Sequence, residues 1–465
     1  MYLSYLIAAA VAVAWYVNRG EGSGAAVLRR RGFRSPLWIW LPAAALIVTF
    51  IAQIGIDRTY AATGRHVGSG YVSYPIAIVA DGTQSVVGDV VAGLLAVIQS
   101  ALLAVLAAAM SVRRKRCDAP VVAAASVVTV ILALWAPVAT SADFYAYVGT
   151  AVAAGSPYHP AAQPFSGEHA VINVLWGLPV IASPYGPLWS AIAKFLLLPL
   201  HSLGAQLFSL RCLGAAAFAG CVIVLFVLRV PRAAIAAFAL NPALIAQYVM
   251  DAHNDGLGLL LVLAALAAAR VPIVAALLVT AAGCIKLPFL ALGAVAFRSR
   301  PRCSERIGLM GFAIVIAAGW YAACVGANFL SVMGGASRVY AAADGAALAA
   351  HVAAAAVALV ALAGALLLRR FCGGASWSFS ALAVTPVPWY LGWGLPYALC
   401  SGAAVPFLIS LPLAADLTSQ TFAPTMLTLG LALIITLSAF CAIARKALPL
   451  ATSLVACGKR LPSRP

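Results

Sequence analysis

Long apolar runs, recurring from end to end and separated by short charged clusters, leave this sequence few ways to fold. They lie at 3–17, 37–56, 87–112 and 121–140, then, after a mixed stretch, at 188–200, 205–228, 233–250 and 256–269. A pair at 274–284 and 287–297 follows, then 307–326, 346–368, 376–388, 391–415 and 424–443. About 20 apolar residues cross a bilayer as a helix, and a lipid-embedded backbone must satisfy its own polar groups, which helices do. Charged residues make up 9% of the chain, against roughly 25% in soluble domains, too few to cover a water-facing surface. The sequence therefore predicts an all-α fold: a polytopic integral membrane protein of about 12–14 transmembrane helices, with residues 1–465 forming one continuous transmembrane bundle.

Charge predicts the orientation. The formal net charge is +17, from 29 basic residues and 12 acids. The basic residues collect between apolar runs: Arg29, Arg30, Arg31 and Arg34; Arg113, Arg114, Lys115 and Arg116; Arg298, Arg300, Arg302 and Arg306; Arg369 and Arg370. That is the pattern of cytoplasmic loops rather than of a nucleic-acid-binding surface, so no nucleic-acid partner is expected. With these clusters inside, alternation puts 57–86, 141–203, 251–255 and 327–345 on the outer side, and with them Asp143, Glu168, Asp251, Asp255 and Asp344. Parity does not fix the side of the tail carrying Lys459 and Arg460. Most of the ten cysteines lie inside apolar runs and no CxxC spacing occurs, which argues against a disulfide framework and a zinc site. The first run lacks a basic leader and a small-residue cleavage site and reads as a retained span.

Five constellations carry chemistry. The outer stretch 141–203, long enough to draw attention as a functional loop, opens with Asp143-Phe-Tyr145-Ala-Tyr147 and continues through Gly155-Ser-Pro157-Tyr158. Asp143 reads either as a water-facing span terminus among interfacial tyrosines or as a general base that takes a proton from an acceptor hydroxyl. Pro184-Tyr185-Gly186-Pro187 is a rigid turn into the next helix. The run after it, 188–200, is short for a span and suits a half-inserted or surface helix. Asp251-Ala-His253-Asn254-Asp255 is a tight outer turn in which Asn254 or Asp255 caps the following helix, while His253 offers a hydrogen bond to a phosphate or a sugar hydroxyl.

Lys286 breaks an apolar stretch next to Pro288, defining a broken helix hairpin over 274–297. An ammonium there costs about 2.5–3.5 kcal/mol on insertion scales and is functional by default, or snorkels; a lipid phosphate is the natural partner for an otherwise unpaired lysine. Pro386-Val-Pro388-Trp389-Tyr390-Leu-Gly-Trp393 reads as an aromatic belt at a broken helix or as part of a groove for a lipid tail or sugar ring.

Taken together and in this order, over roughly residues 120–400, the blocks resemble the GT-C class of membrane glycosyltransferases that use polyprenyl-phosphate sugars. Within that class they are most similar to actinobacterial polyprenol-phosphate-mannose-dependent α-(1→6)-mannosyltransferases and their relatives. The residues that carry the resemblance are Asp143-Phe-Tyr145-Ala-Tyr147, Ser156-Pro157-Tyr158, Pro184-Tyr185-Gly186-Pro187-Leu188, His253-Asn254-Asp255, Ile285-Lys286-Leu287-Pro288 and Pro388-Trp389-Tyr390-Leu-Gly-Trp393. One departure is Ser156, where relatives often carry Asn or Asp before the proline.

The resemblance implies a GT-C-type bundle with short outer-face helices and broken helices. It makes Asp143 the catalytic base, and His253, Asn254, Asp255 and Lys286 binders of the donor's phosphate or sugar. Tyr145, Tyr147, Tyr158, Tyr185, Trp389 and Tyr390 become pocket walls. It implies an inverting transfer of a hexose, mannose first, from a polyprenyl-phosphate donor to a glycan or glycolipid acceptor at the non-cytoplasmic face of the cell membrane. No cofactor and no metal ligands are expected, with a divalent ion left open. The rival reading is a secondary transporter or a lipid or glycolipid flippase, which accounts for the spans, the broken helix and the intramembrane lysine but not for the stretch 141–203.

Overall fold

The computed structural model describes residues 35–63, 86–112, 118–136, 143–160, 163–176, 182–326, 356, 359–369 and 388–420. The expected spans at 3–17 and 424–443, about half of that at 346–368, nearly all of that at 376–388, most of the loop at 57–86 and all of that at 327–345 lie outside these residues. So do the basic clusters at 29–34 and 113–116, Asp344, the side chain of Trp389 and the C-terminal tail. Apart from a two-residue antiparallel ribbon, Gly155–Ser156 with His159–Pro160, every regular element among the described residues is helical. The chain is an all-α polytopic membrane protein.

Helices α1 (Leu37–Thr63), α2 (Val86–Val112) and α3 (Asp118–Leu134) pack together. Leu41, Val48 and Ile51 of α1 and Leu94 and Ile98 of α2 are exposed, an apolar surface suited to lipid. The stretch 143–203 then builds α4 (Asp143–Val152), the ribbon, α5 (Ala170–Trp176) and α6 (Pro187–Leu197). Pro187 opens α6 in the first turn, where its missing N–H is not needed. The 11 residues of α6 are too few to span, in keeping with the short helix expected there.

The span α7 (Leu203–Val227) starts at Ser202, whose side chain accepts from the Ala205 amide. Next come α8 (Arg232–Ala239) and α9 (Pro242–Ile245), the latter running into a π-turn at Ala246–Met250. The expected span at 233–250 is therefore a broken one, bent by 48°. Asn241 stabilises the bend: its side chain accepts from the Leu244 amide and donates to the Leu408 carbonyl at 2.7 Å. Helix α10 (Asp255–Ala267) packs on α7 and on α11 (Pro272–Ile285).

The hairpin expected at 274–297 breaks at Lys286. That residue is extended (φ −157°, ψ 126°), and Pro288 opens α12 (Pro288–Gly293), which continues as a 3₁₀ turn through Phe297. Leu287 stays helical, so the reversal falls two residues before the proline. The next span is α13 (Cys303–Val325). The expected span at 391–415 is divided into a 3₁₀ segment (Pro388–Gly394), α14 (Leu395–Ser401) and α15 (Ala404–Gln420). Four described helices are long and apolar enough to cross a membrane, or five counting the bent pair.

The two ends of α10 differ in character. Beyond its C-terminus Arg300 donates to the Ala269 and Arg270 carbonyls, Arg306 to those of Leu366 and Leu367, and Arg369 to that of Arg298. Its N-terminus carries Asp255 and lies beside Lys286, Tyr390 and Trp393. Thirteen residues of helix, about 20 Å, separate the two.

Candidate active site

Asp143 begins α4, where a carboxylate suits the positive end of the helix dipole. One of its oxygens accepts from the Tyr185 hydroxyl at 3.1 Å. Burial, and after it the Asp143 charge, pushes that phenol well above its usual range, so it stays a proton donor.

Tyr185 is held from behind. Its carbonyl accepts from the Tyr158 hydroxyl at 3.1 Å, and that hydroxyl in turn accepts from Ser190. The Gly186 amide donates to the Ile285 carbonyl at 2.9 Å. A Cβ at Gly186 would lie 2.1 Å from the Cys284 carbonyl oxygen, so the turn requires glycine for close approach to the end of α11. Tyr158, expected as a wall, also braces the turn from behind, and the brace sets Tyr185 next to Lys286.

The Lys286 ammonium sits 5.3 Å from the Tyr185 ring centroid, 4.5 Å from that of Tyr390 and 5.5 Å from that of Trp393, within cation–π range of all three. It also pairs with both oxygens of Asp255, each at 3.1 Å. Trp393 donates its indole N–H to the same carboxylate at 2.7 Å. The expected lysine awaiting a phosphate therefore already has a protein counter-ion, because the turn at 251–255 brings a carboxylate to it. With its oxygens taken by Lys286 and Trp393, Asp255 acts on the lysine rather than on an anionic ligand. These contacts engage two of the three ammonium N–H bonds.

The turn is built under strain. The π-turn at Ala246–Met250 ends in Asp251, and Ala252 follows at φ +50°, a left-handed conformation uncommon outside glycine and frequent at functional sites. His253 is buried, with Nδ1 4.0 Å from the Asp143 carboxylate, beyond hydrogen-bond range. Burial, and after it the Lys286 charge, holds the His253 pKa well below the usual value. The imidazole is neutral at pH 7, so its approach to Asp143 is not an ion pair.

Asn254 occupies the N-cap position of α10 but makes no side-chain cap, and both polar atoms of its buried side chain lack a hydrogen-bond partner. The Tyr147 phenol is buried beside the Asn254 backbone and the Tyr185 hydroxyl, its ring against those of Tyr185 and Trp189 at 5.0 and 4.9 Å. Buried polar groups without partners are rare in native proteins and call for an explanation. Tyr145 is buried edge-on against Phe144. Among the described residues, no three His, Cys, Asp or Glu side chains are grouped as metal ligands.

Two site-building residues were not singled out from the sequence. Trp393 lies in the 386–393 motif, whose spacing assigns it no role of its own. Arg211 stands in the middle of α7, fully buried. Its guanidinium donates to Met250 (2.8 Å), Leu134 (3.0 Å) and Ala136 (2.6 Å), carbonyls at the ends of two helical segments, and lies 5.6 Å from the Phe144 ring centroid. One cation thereby fastens the chain just before Asp143 to the chain just before His253. The signal was present: an ionisable residue inside an apolar run, the argument applied to Lys286, applies equally here. Replacing Arg211 by Met is expected to destabilise the protein by about 3–5 kcal/mol, because the buried carbonyls lose their donors. Thermal unfolding in detergent measures this, and Arg211→Lys is expected to recover little, since a single ammonium cannot reproduce the guanidinium fork.

Residues 39–299 match the family model described as alpha-(1->6)-mannopyranosyltransferase, N-terminal domain. No curated protein and no solved structure matches the chain.

Proposed function

The chain belongs to the alpha-(1->6)-mannopyranosyltransferase family, and on that premise we propose that it takes mannose from a polyprenyl-phosphate donor, with Asp143 as general base. The observation that carries this reading is the role of Tyr185 as a bridge. Its hydroxyl binds the Asp143 carboxylate and its ring faces the Lys286 ammonium, so a base and a cation share one site.

In the proposed reaction, Asp143 accepts the proton of the acceptor's 6-hydroxyl as its oxygen attacks the anomeric carbon. The bond from that carbon to the donor phosphate breaks on the opposite side, configuration inverts, and polyprenyl phosphate departs with the electron pair. A leaving phosphate monoester needs preorganised positive charge. Lys286 supplies it, kept ionised and oriented by Asp255 and Trp393. The Asn254 side-chain amide, buried without a partner, is suited to a sugar hydroxyl, whose recognition depends on such directed polar groups, and the Tyr147 phenol lies beside it. Neutral His253 adds a further hydrogen-bonding group next to Asp143. Action at the outer membrane face is supported by the segregation of charge along α10: the arginine-rich end matches cytoplasmic loops, and the proposed site lies at the other end.

The test is reconstitution of the full chain in liposomes with labelled polyprenyl-phosphate mannose or labelled nucleotide-linked mannose and an α-mannoside acceptor. Transfer from the lipid-linked donor alone, to an acceptor added outside right-side-out vesicles, is the expected result. Transfer from the nucleotide sugar alone overturns the donor assignment.

A further inference from the structure

At the far end of α4 from Asp143, the surface carries an open cleft of about 330 Å³ lined by Val152, Ala154, Gln163, Phe165, Ser166 and His169. Helix α4 has 10 residues, so the cleft lies about 15 Å along the helix from the carboxylate. Nothing in the reaction described above uses it.

The walls are fixed from behind to an unusual degree for a loop. Asn173 accepts from the Phe165 amide at 3.0 Å and donates to the Phe165 carbonyl at 2.7 Å. His169 Nε2 contacts Gln206 Oε1 at 2.8 Å. The Gln206 amide nitrogen is occupied by the Leu197 and Leu200 carbonyls, so its oxygen accepts and His169 carries its proton on Nε2. Glu168 accepts from the Leu203 amide at 3.0 Å, tying the segment to the start of α7. The result is a pair of rings, Phe165 and His169, with centroids 6.4 Å apart and tilted by 34°. Both are half-buried, and exposed Gln163 and Ser166 stand beside them.

A rigid aromatic face flanked by uncharged hydrogen-bonding groups, with no Lys, Arg, Asp or Glu among the described lining residues, suits a neutral, hydroxyl-rich ligand with apolar ring faces. Its volume falls at the lower end of small-ligand sites, about 300–1,000 Å³. We propose that this cleft is a remote acceptor subsite that binds uncharged hexose units of an oligosaccharide while its terminal hydroxyl reaches Asp143. This rests on the transferase reading for its direction, though not for the binding itself.

The experiment measures binding of an unlabelled linear α-mannotetraose to the full chain in nanodiscs by saturation-transfer NMR. It compares the wild type with Asp143→Asn, Phe165→Ala and Phe165→Tyr. Wild type, Asp143→Asn and Phe165→Tyr are expected to bind alike, and Phe165→Ala about tenfold more weakly. Equal binding by Phe165→Ala and wild type overturns the subsite, as does failure of wild type to bind. In turnover, Phe165→Ala is expected to raise the KM for the tetrasaccharide about tenfold more than that for a monosaccharide acceptor; a parallel rise in both overturns the subsite. Binding that follows the expected order without any transfer by wild type counts against the transferase reading alone.

Discussion

Asp143→Asn is expected to lower the rate of mannosyl transfer by roughly 10²–10⁴-fold, the range assigned to loss of a positioned general base. The change is nearly isosteric, and the Asn carbonyl still accepts from the Tyr185 hydroxyl that now binds the carboxylate. The Tyr185 turn keeps its other ties, to Tyr158 and to the Ile285 carbonyl, so the fold is expected to persist. The loss belongs in kcat, with the KM for the lipid-linked donor little changed, because the base acts on the acceptor and only in the transition state. Initial rates at saturating donor, alongside thermal unfolding of both proteins, check this. Retention of more than about a tenth of the wild-type kcat in the folded variant assigns the base elsewhere.

The second large effect concerns the Lys286–Asp255 pair. Lys286→Met leaves the fully buried Asp255 carboxylate with the Trp393 indole as its remaining side-chain hydrogen-bond partner, and breaking a buried pair from one side costs about 3–5 kcal/mol. The double variant Lys286→Met with Asp255→Asn removes both charges, and stability is expected to return to within about 1–2 kcal/mol of wild type, since desolvated pairs are often replaced at little net cost. Transfer is not expected to return. If the ammonium stabilises the departing phosphate, its loss costs about 10²–10³-fold in rate whatever the fold does. A double variant that regains both stability and transfer demotes Lys286 to a structural cation; one that regains stability alone supports the proposed role.

How much of the site was legible in the sequence depended on the kind of argument. Lys286 was found because an ammonium inside an apolar run is costly enough to require a reason, and the same cost marks Arg211, which was not singled out. What the run could not reveal was the partner. Lys286 was expected to await a lipid phosphate, but the turn at 251–255 delivers Asp255 to it across 31 residues, and Trp393 joins across 138. Asn254 was expected to cap α10, a local task that its spacing allows, yet its side chain is turned to no partner. Tyr158 is expected as a pocket wall from its motif, and only the fold shows that its hydroxyl also holds the Tyr185 turn. Each of these depends on which distant element packs alongside, and one-dimensional spacing carries no record of that.

Composition and apolar run length alone dictated a helical, membrane-embedded chain, because continuous apolar runs of about 20 residues match helical spans, whereas barrel strands are shorter and alternate. The order of the short polar blocks pointed to the family. Three-dimensional packing settled the rest: the bend at Asn241, the reversal at Lys286, and the meeting of Asp143, Tyr185, Lys286 and Asp255. The physical reason is range. Hydrophobic burial and backbone hydrogen bonding act locally along a helix, whereas a charge in a low-dielectric interior takes whichever counter-ion the tertiary fold brings within about 4 Å.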